Sequence, residues 1–154
     1  MKSIRIITFI FLTPLIYSQE VNVQLIGVYN DSTALSPVVE LYVSSDSSDI
    51  GGFQFQTTGG VLLNAFGGLA DEAGFTSSLS PDGIVLSFSF TGNTIPSGEG
   101  ILINLEYSSF TNTELCLTAP VFSDPSGISM DVDPGECIQT GVVPTTPTIT
   151  ILTP

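Results

Sequence analysis

Past its first twenty residues the chain alternates apolar and polar positions with a period of two, as strands do when one face meets a core and the other meets water. Val21, Val23 and Leu25 alternate with Asn22 and Gln24; Val39, Leu41 and Val43 with Glu40 and Tyr42; Phe53 and Phe55 with Gln54 and Gln56. Ile84, Leu86, Phe88 and Phe90 are interleaved with Val85, Ser87 and Ser89, which predicts a strand whose larger residues point inward. Ile101, Ile103, Leu105 and Tyr107 repeat the pattern around Asn104 and Glu106, and further strands are predicted over 114–122, 128–132 and 136–140. Turn clusters separate these runs: Asp31-Ser32-Thr33, 44–49, Gly59-Gly60, Gly67-Gly68, Pro81-Asp82-Gly83, Pro96-Ser97-Gly98 and Asp124-Pro125-Ser126-Gly127. Alternation is poor over 60–66 and 73–79, and 69–75 reads as a short helical turn. About nine strands with short connections predict an all-β, two-sheet sandwich. All of the Phe residues except Phe9 and Phe11 fall in this region, and the pattern turns most of them inward.

The two ends depart from the pattern. Residues 1–18 read as a secretory signal peptide: Lys2 and Arg5 precede a nearly unbroken apolar run over 6–17, and Ser18 offers a small residue before a cut ahead of Gln19. The alternative, a membrane anchor, needs a longer run than this one, which is also interrupted by Pro14. Residues 19–142 form the predicted sandwich domain. Residues 143–154 are a Pro/Thr linker, and Thr148-Ile149-Thr150-Ile151-Leu152 resembles the opening strand of a further module.

Charge narrows the choice of partners. Fifteen Asp and Glu face two Lys and Arg, with no His, for a net charge of −13. Cleavage after Ser18 removes both basic residues and leaves all the acidic ones. Such a chain cannot neutralise phosphates, which excludes nucleic acid and disfavours anionic membrane surfaces; it favours cationic partners, Ca²⁺ included. Without His or Lys there is no partner to activate a Ser or Cys nucleophile and no imidazole to hold a metal. Paired carboxylates of the glycoside hydrolase kind are the one catalytic device left. The absence of Trp and the short chain argue against a sugar cleft of that type, so the expectation is a non-enzyme.

Cys116 and Cys137 are the only cysteines, and an oxidising exterior permits a disulfide between them. Closing that loop would stabilise the fold by about 3 kcal/mol; two free thiols is the other reading. The densest group of hard oxygen ligands is Asp124, Asp131, Asp133 and Glu136, which would converge on Ca²⁺ or else lie as solvated turn carboxylates. Their spacing is not that of an EF-hand. The loop over 44–49 is a second acidic candidate. Tyr42, on the polar side of its strand, is a candidate for stacking on a sugar ring or a partner. Asn30-Asp31-Ser32 is an N-glycosylation sequon.

Three stretches resemble the cohesin family of extracellular modules: VVELYVSSDSSDIGGFQF at 38–55, GIVLSFSFTGNTIPSGEGILINLEY at 83–107, and the last two strands within 116–138. The likeness covers most of 20–141 and implies a nine-stranded jelly-roll sandwich, shared with some carbohydrate-binding modules. It implies a dockerin-type protein partner bound through one face, where the matching strands would expose Gln54, Gln56, Ser87 and Ser89. The cysteine pair is not general in that family. A polysaccharide-binding module and a structural spacer in a surface adhesin are the alternative functions, and all three place the chain outside the cell.

Overall fold

Among the described residues the chain forms ten strands, against the nine or so expected, in two five-stranded sheets packed face to face. The computed structural model describes residues 20–30, 36–46 and 48–141. The expected signal peptide (1–18), the linker (143–154), and Asp31 and Ser32 of the sequon lie outside the described residues. Sheet 1 runs in the order β4 (Gly60–Phe66), β7 (Gly98–Phe110), β2 (Pro37–Ser45), β1 (Glu20–Asn30) and β9 (Asp131–Asp133). Sheet 2 runs β10 (Ile138–Gln139), β8 (Glu114–Ser123), β3 (Gly52–Thr58), β6 (Ile84–Phe88) and β5 (Thr76–Leu79). Every pairing is antiparallel except β1 with β9. A five-residue helix, α1 (Gly68–Glu72), fills the predicted helical turn and buries Ala70. Among the described residues no helix is long and apolar enough to cross a membrane.

Alternation decides what enters the core. Sheet 1 sends in Val21, Val23, Leu25, Val39, Leu41 and Val43, together with Ile103, Leu105 and Tyr107. Sheet 2 contributes Phe53, Phe55, Val85, Leu115, Leu117 and Phe122. Phe53 is the hub of an aromatic cluster, with ring centroids 6.0 Å from Phe55, 6.2 Å from Phe75 and 5.4 Å from Phe122. Burying side chains of this size is the main force holding the sheets together. The buried Tyr107 phenol is satisfied: it donates its hydroxyl to Thr57 Oγ1 at 2.9 Å across the two sheets.

Where the chain passes from β3 in sheet 2 to β4 in sheet 1, Gly59 adopts φ +105° and lies against the Glu114 carbonyl. A Cβ would collide with that oxygen, so only glycine fits the crossing. At one end, Ile50 and Ile95 exchange two backbone hydrogen bonds of 2.8 and 2.9 Å, and both are buried. Cys116 and Cys137 form a disulfide, which ties the approach to β10 onto β8 and closes that edge of sheet 2.

Two expectations need correction here. In β6 the inward residues are Val85 and Ser87, both fully buried, whereas Leu86 is 41% exposed. The strand has the opposite phase to the one its larger side chains suggest. Register explains it: Ser87 pairs with Phe53 on one side and Ser77 on the other, beside the aromatic cluster. A small residue fits under those rings, and its hydroxyl is satisfied by Ser77 Oγ at 2.9 Å. The Phe residues also divide: Phe53, Phe55, Phe75 and Phe122 are core, but Phe66 and Phe90 are exposed.

Candidate functional site

The outward side of sheet 2 is a nearly flat face without charge at its centre. Cross-strand register aligns Ser78, Leu86, Gln54 and Val121 in one row and Thr76, Phe88, Gly52 and Ser123 in the next. Leu86 and Val121 expose 41% and 51% of their surface on either side of Gln54. Gly52 carries no side chain, so the sheet dips between Phe88 and Ser123 into a hollow of about 380 Å³, also lined by Gln54, Leu86 and Val121. Phe88 packs edge-on against the exposed Phe90 at 4.7 Å. Exposed apolar groups gathered in one patch mark a place where another surface can bury them.

A β-bulge shapes this face. Between β3 and β8 the register jumps from Gln54–Val121 to Gln56–Thr118. Ala119 takes up the slack at φ +47°, the one non-glycine positive φ among the described residues. Left-handed backbone at alanine costs roughly 1–3 kcal/mol. Pro120, which has no N–H to give to a ladder, sits beside it. The bulge sets the phase that turns Phe122 into the core and Val121 onto the face.

The candidate residues named from the sequence do not share one surface. Gln54 stands at the centre of the sheet 2 face. Gln56 is half-buried in the same face and donates its side-chain amide to the Asp82 carbonyl at 2.8 Å, bracing the turn between β5 and β6. Ser87 lies beneath the face, inside the core, for the packing reason given above. Ser89 lies past the end of β6 and organises the following turn, accepting from the Thr91 and Asn93 amides at 3.2 Å each. Tyr42 is on the other sheet altogether.

The outward side of sheet 1 contrasts with this. Glu20, Glu40, Glu99, Glu106, Asp131 and Asp133 all occupy its outward register positions. The Glu99 carboxylate beside the Tyr42 hydroxyl favours its protonated form and holds its pKa above the ordinary value, with some burial adding to the rise. Inside the core, burial pushes the Tyr107 hydroxyl up to about 12, against the opposing effect of its bond to Thr57.

Two solved structures share this fold. A cohesin of a type I cohesin–dockerin complex from Clostridium thermocellum (Coh-OlpC) superposes with a TM-score of 0.52 and 15% identity, over 74% of this chain and 88% of its own. A cohesin from the CaDoc0917–CaCohA2 complex matches at 0.51 and 18% identity, over 73% of this chain and 92% of its own. The fold is a cohesin-like β-sandwich. No family model matches the chain, and no curated protein matches it.

Within this cohesin-like sandwich the proposed metal ligands are dispersed in their tasks. Asp124 Oδ1 accepts from the Ser126 and Ile128 amides at 2.8 and 2.9 Å, closing its own turn. Asp133 Oδ1 accepts from the Gly135 amide at 3.0 Å. Asp131 faces Glu20 across the parallel pair, and Glu136 shares with Asp133 the outward cleft over β1. Among the described residues no three His, Cys, Asp or Glu side chains gather as a metal-holding group. In the second acidic loop, Asp49 uses both carboxylate oxygens on the 94–97 segment, accepting from the Ser97 amide at 3.0 Å and the Thr94 hydroxyl at 3.2 Å. Leu86, Phe88 and Val121, which make the sheet 2 patch, were not anticipated. Pro120 was the one available signal, since proline inside a strand run marks a bulge.

Proposed function

We propose that the chain is an extracellular, non-catalytic recognition module that docks a dockerin-type protein through the outward face of sheet 2. The observation that carries this reading is the uncharged patch of Leu86, Val121 and Phe88 around Gln54. Its composition, an apolar centre with a polar rim, is that of a protein-docking surface. Acidic side chains at the rim, Asp82 and Asp124, favour a partner with basic residues around an apolar centre. The two solved cohesins above come from complexes with dockerins, which supports the same class of partner here. The disulfide supports an oxidising, extracellular setting.

The test is a surface plasmon resonance screen of the purified chain against dockerin-type modules encoded by the same source. At least one is expected to bind, and Leu86→Asp combined with Val121→Asp is expected to weaken it by about 30-fold or more, as at an interface hot spot. Equal binding by the double variant would move the interface elsewhere. Failure of every dockerin would remove that partner class.

A further inference from the structure

On the other side of the sandwich, sheet 1 carries a cleft of about 420 Å³ over β1, β2 and β9. Asn22 and Gln24 project outward from β1, and register sets Ser44 and Tyr42 beside them on β2. Asp133 stands next to Asn22 on β9. The wall that brings in Glu136 depends on Gly135, which turns over β1 at φ +66°. A Cβ there would lie 2.7 Å from the Val23 carbonyl oxygen, so only glycine allows the chain to pass this close. The Asp133 carboxylate braces the same turn through the Gly135 amide.

The lining combines three chemistries: one aromatic ring, two side-chain amides that both donate and accept, and two carboxylates that accept. A pyranose presents the complementary set, an apolar C–H face and a rim of hydroxyls that donate and accept. Anionic ligands are disfavoured, because no Lys, Arg or His lies within the described residues. A bound divalent ion is disfavoured too, since no three carboxylates gather. The volume falls in the range of about 300–1,000 Å³ typical of small-molecule sites.

We propose that this cleft binds an uncharged saccharide, stacked on Tyr42 and hydrogen-bonded by Asn22, Gln24, Asp133 and Glu136. It lies on the opposite sheet from the protein-docking face, so the two sites can be occupied together, and the proposal does not depend on the docking reading.

The purified chain is presented to an array of neutral oligosaccharides (glucose-, galactose-, mannose- and xylose-based) and acidic ones (uronate and sulfated), and the best binder is titrated by calorimetry. Retention of a neutral glycan is expected. Tyr42→Ala should weaken it by about tenfold or more, the worth of one stacked ring, while Tyr42→Phe keeps the ring and stays close to the parent affinity. Gln24→Ala, a change at an exposed position, should also weaken binding, and Leu86→Asp on the far sheet should leave it unaltered. Melting curves check that each variant is folded. The proposal is overturned if no neutral glycan binds at millimolar concentration, or if acidic glycans bind equally well. It also fails if folded Tyr42→Ala and Gln24→Ala bind like the parent, or if a Lys/Arg peptide occupies the cleft and sugars do not.

Discussion

The two outward faces of this sandwich rest on one core and are written in the same period-two code, yet they differ in charge and texture. Sheet 1 presents carboxylates from β1, β2, β7 and β9 around Tyr42. The central rows of sheet 2 present Leu86, Phe88, Val121 and Gln54, with no charge among them. Water solvates the first face well, so there is little to gain by covering it except through specific polar contacts. The second face leaves apolar surface in water, which covering would relieve. Recognition at the two faces would follow different physics: oriented hydrogen bonds on one, apolar burial on the other.

The sharpest way to break the comparison is to change neighbouring residues on opposite sides of sheet 2. Ser87→Asp forces a carboxylate under the aromatic cluster with no cation to pair it, so a loss of about 3–5 kcal/mol is expected in denaturant unfolding. Leu86→Asp, one residue away, points into water. It should alter stability by no more than about 0.5 kcal/mol while weakening partner binding. If the two variants were equally destabilising, the phase of β6 described above would be wrong.

Replacing both Cys116 and Cys137 by Ser should cost about 3 kcal/mol, read from the shift of the unfolding midpoint. The effect should fall on the β8–β10 edge of sheet 2, with faster amide exchange at Leu115 and Ile138 than in β1 or β2.

Alkaline titration separates Tyr107 from Tyr42. Tyr107 has its hydroxyl pKa raised to about 12, so the unfolded chain releases that proton near pH 10 and the folded chain does not. The stability this contributes is complete below pH 10 and is lost as pH rises from about 10 to 12, a fall of roughly 2–3 kcal/mol. Tyr107→Phe should abolish that part of the alkaline slope. The smallest effect is expected on sheet 1: Glu99→Gln should bring the Tyr42 titration back towards its ordinary value, seen in the ultraviolet phenolate signal, with little change in melting.

Much of the fold was legible in the residues themselves. Alternation around Val21–Leu25, Val39–Val43 and Phe53–Phe55 marked strands and their buried sides correctly, because each run has large apolar groups at one parity only. The run Ile101–Tyr107 kept its phase only from Ile103 onward: the register slips at Leu102, which is buried, and Ile101 pairs with the outward-facing Tyr42. Composition was equally local in meaning: the described residues hold no Lys, Arg or His, so no cationic side chain among them can neutralise a phosphate, whatever the fold. The cysteine pairing followed from there being only two. The run over 84–90 was different, since Val85 competes with Ile84 and Leu86 and both parities carry apolar side chains. Its phase was settled by the space left beside Phe53, which no local pattern records. The same holds for the binding surfaces. Tyr42 and Gln54 are polar-side residues of neighbouring strands in sequence, and only the crossing from β2 in sheet 1 to β3 in sheet 2 puts them on opposite sides of the molecule. Period-two alternation tells a residue from its neighbour across one strand; which strands share a sheet is decided by long-range pairing, and that belongs to the tertiary structure.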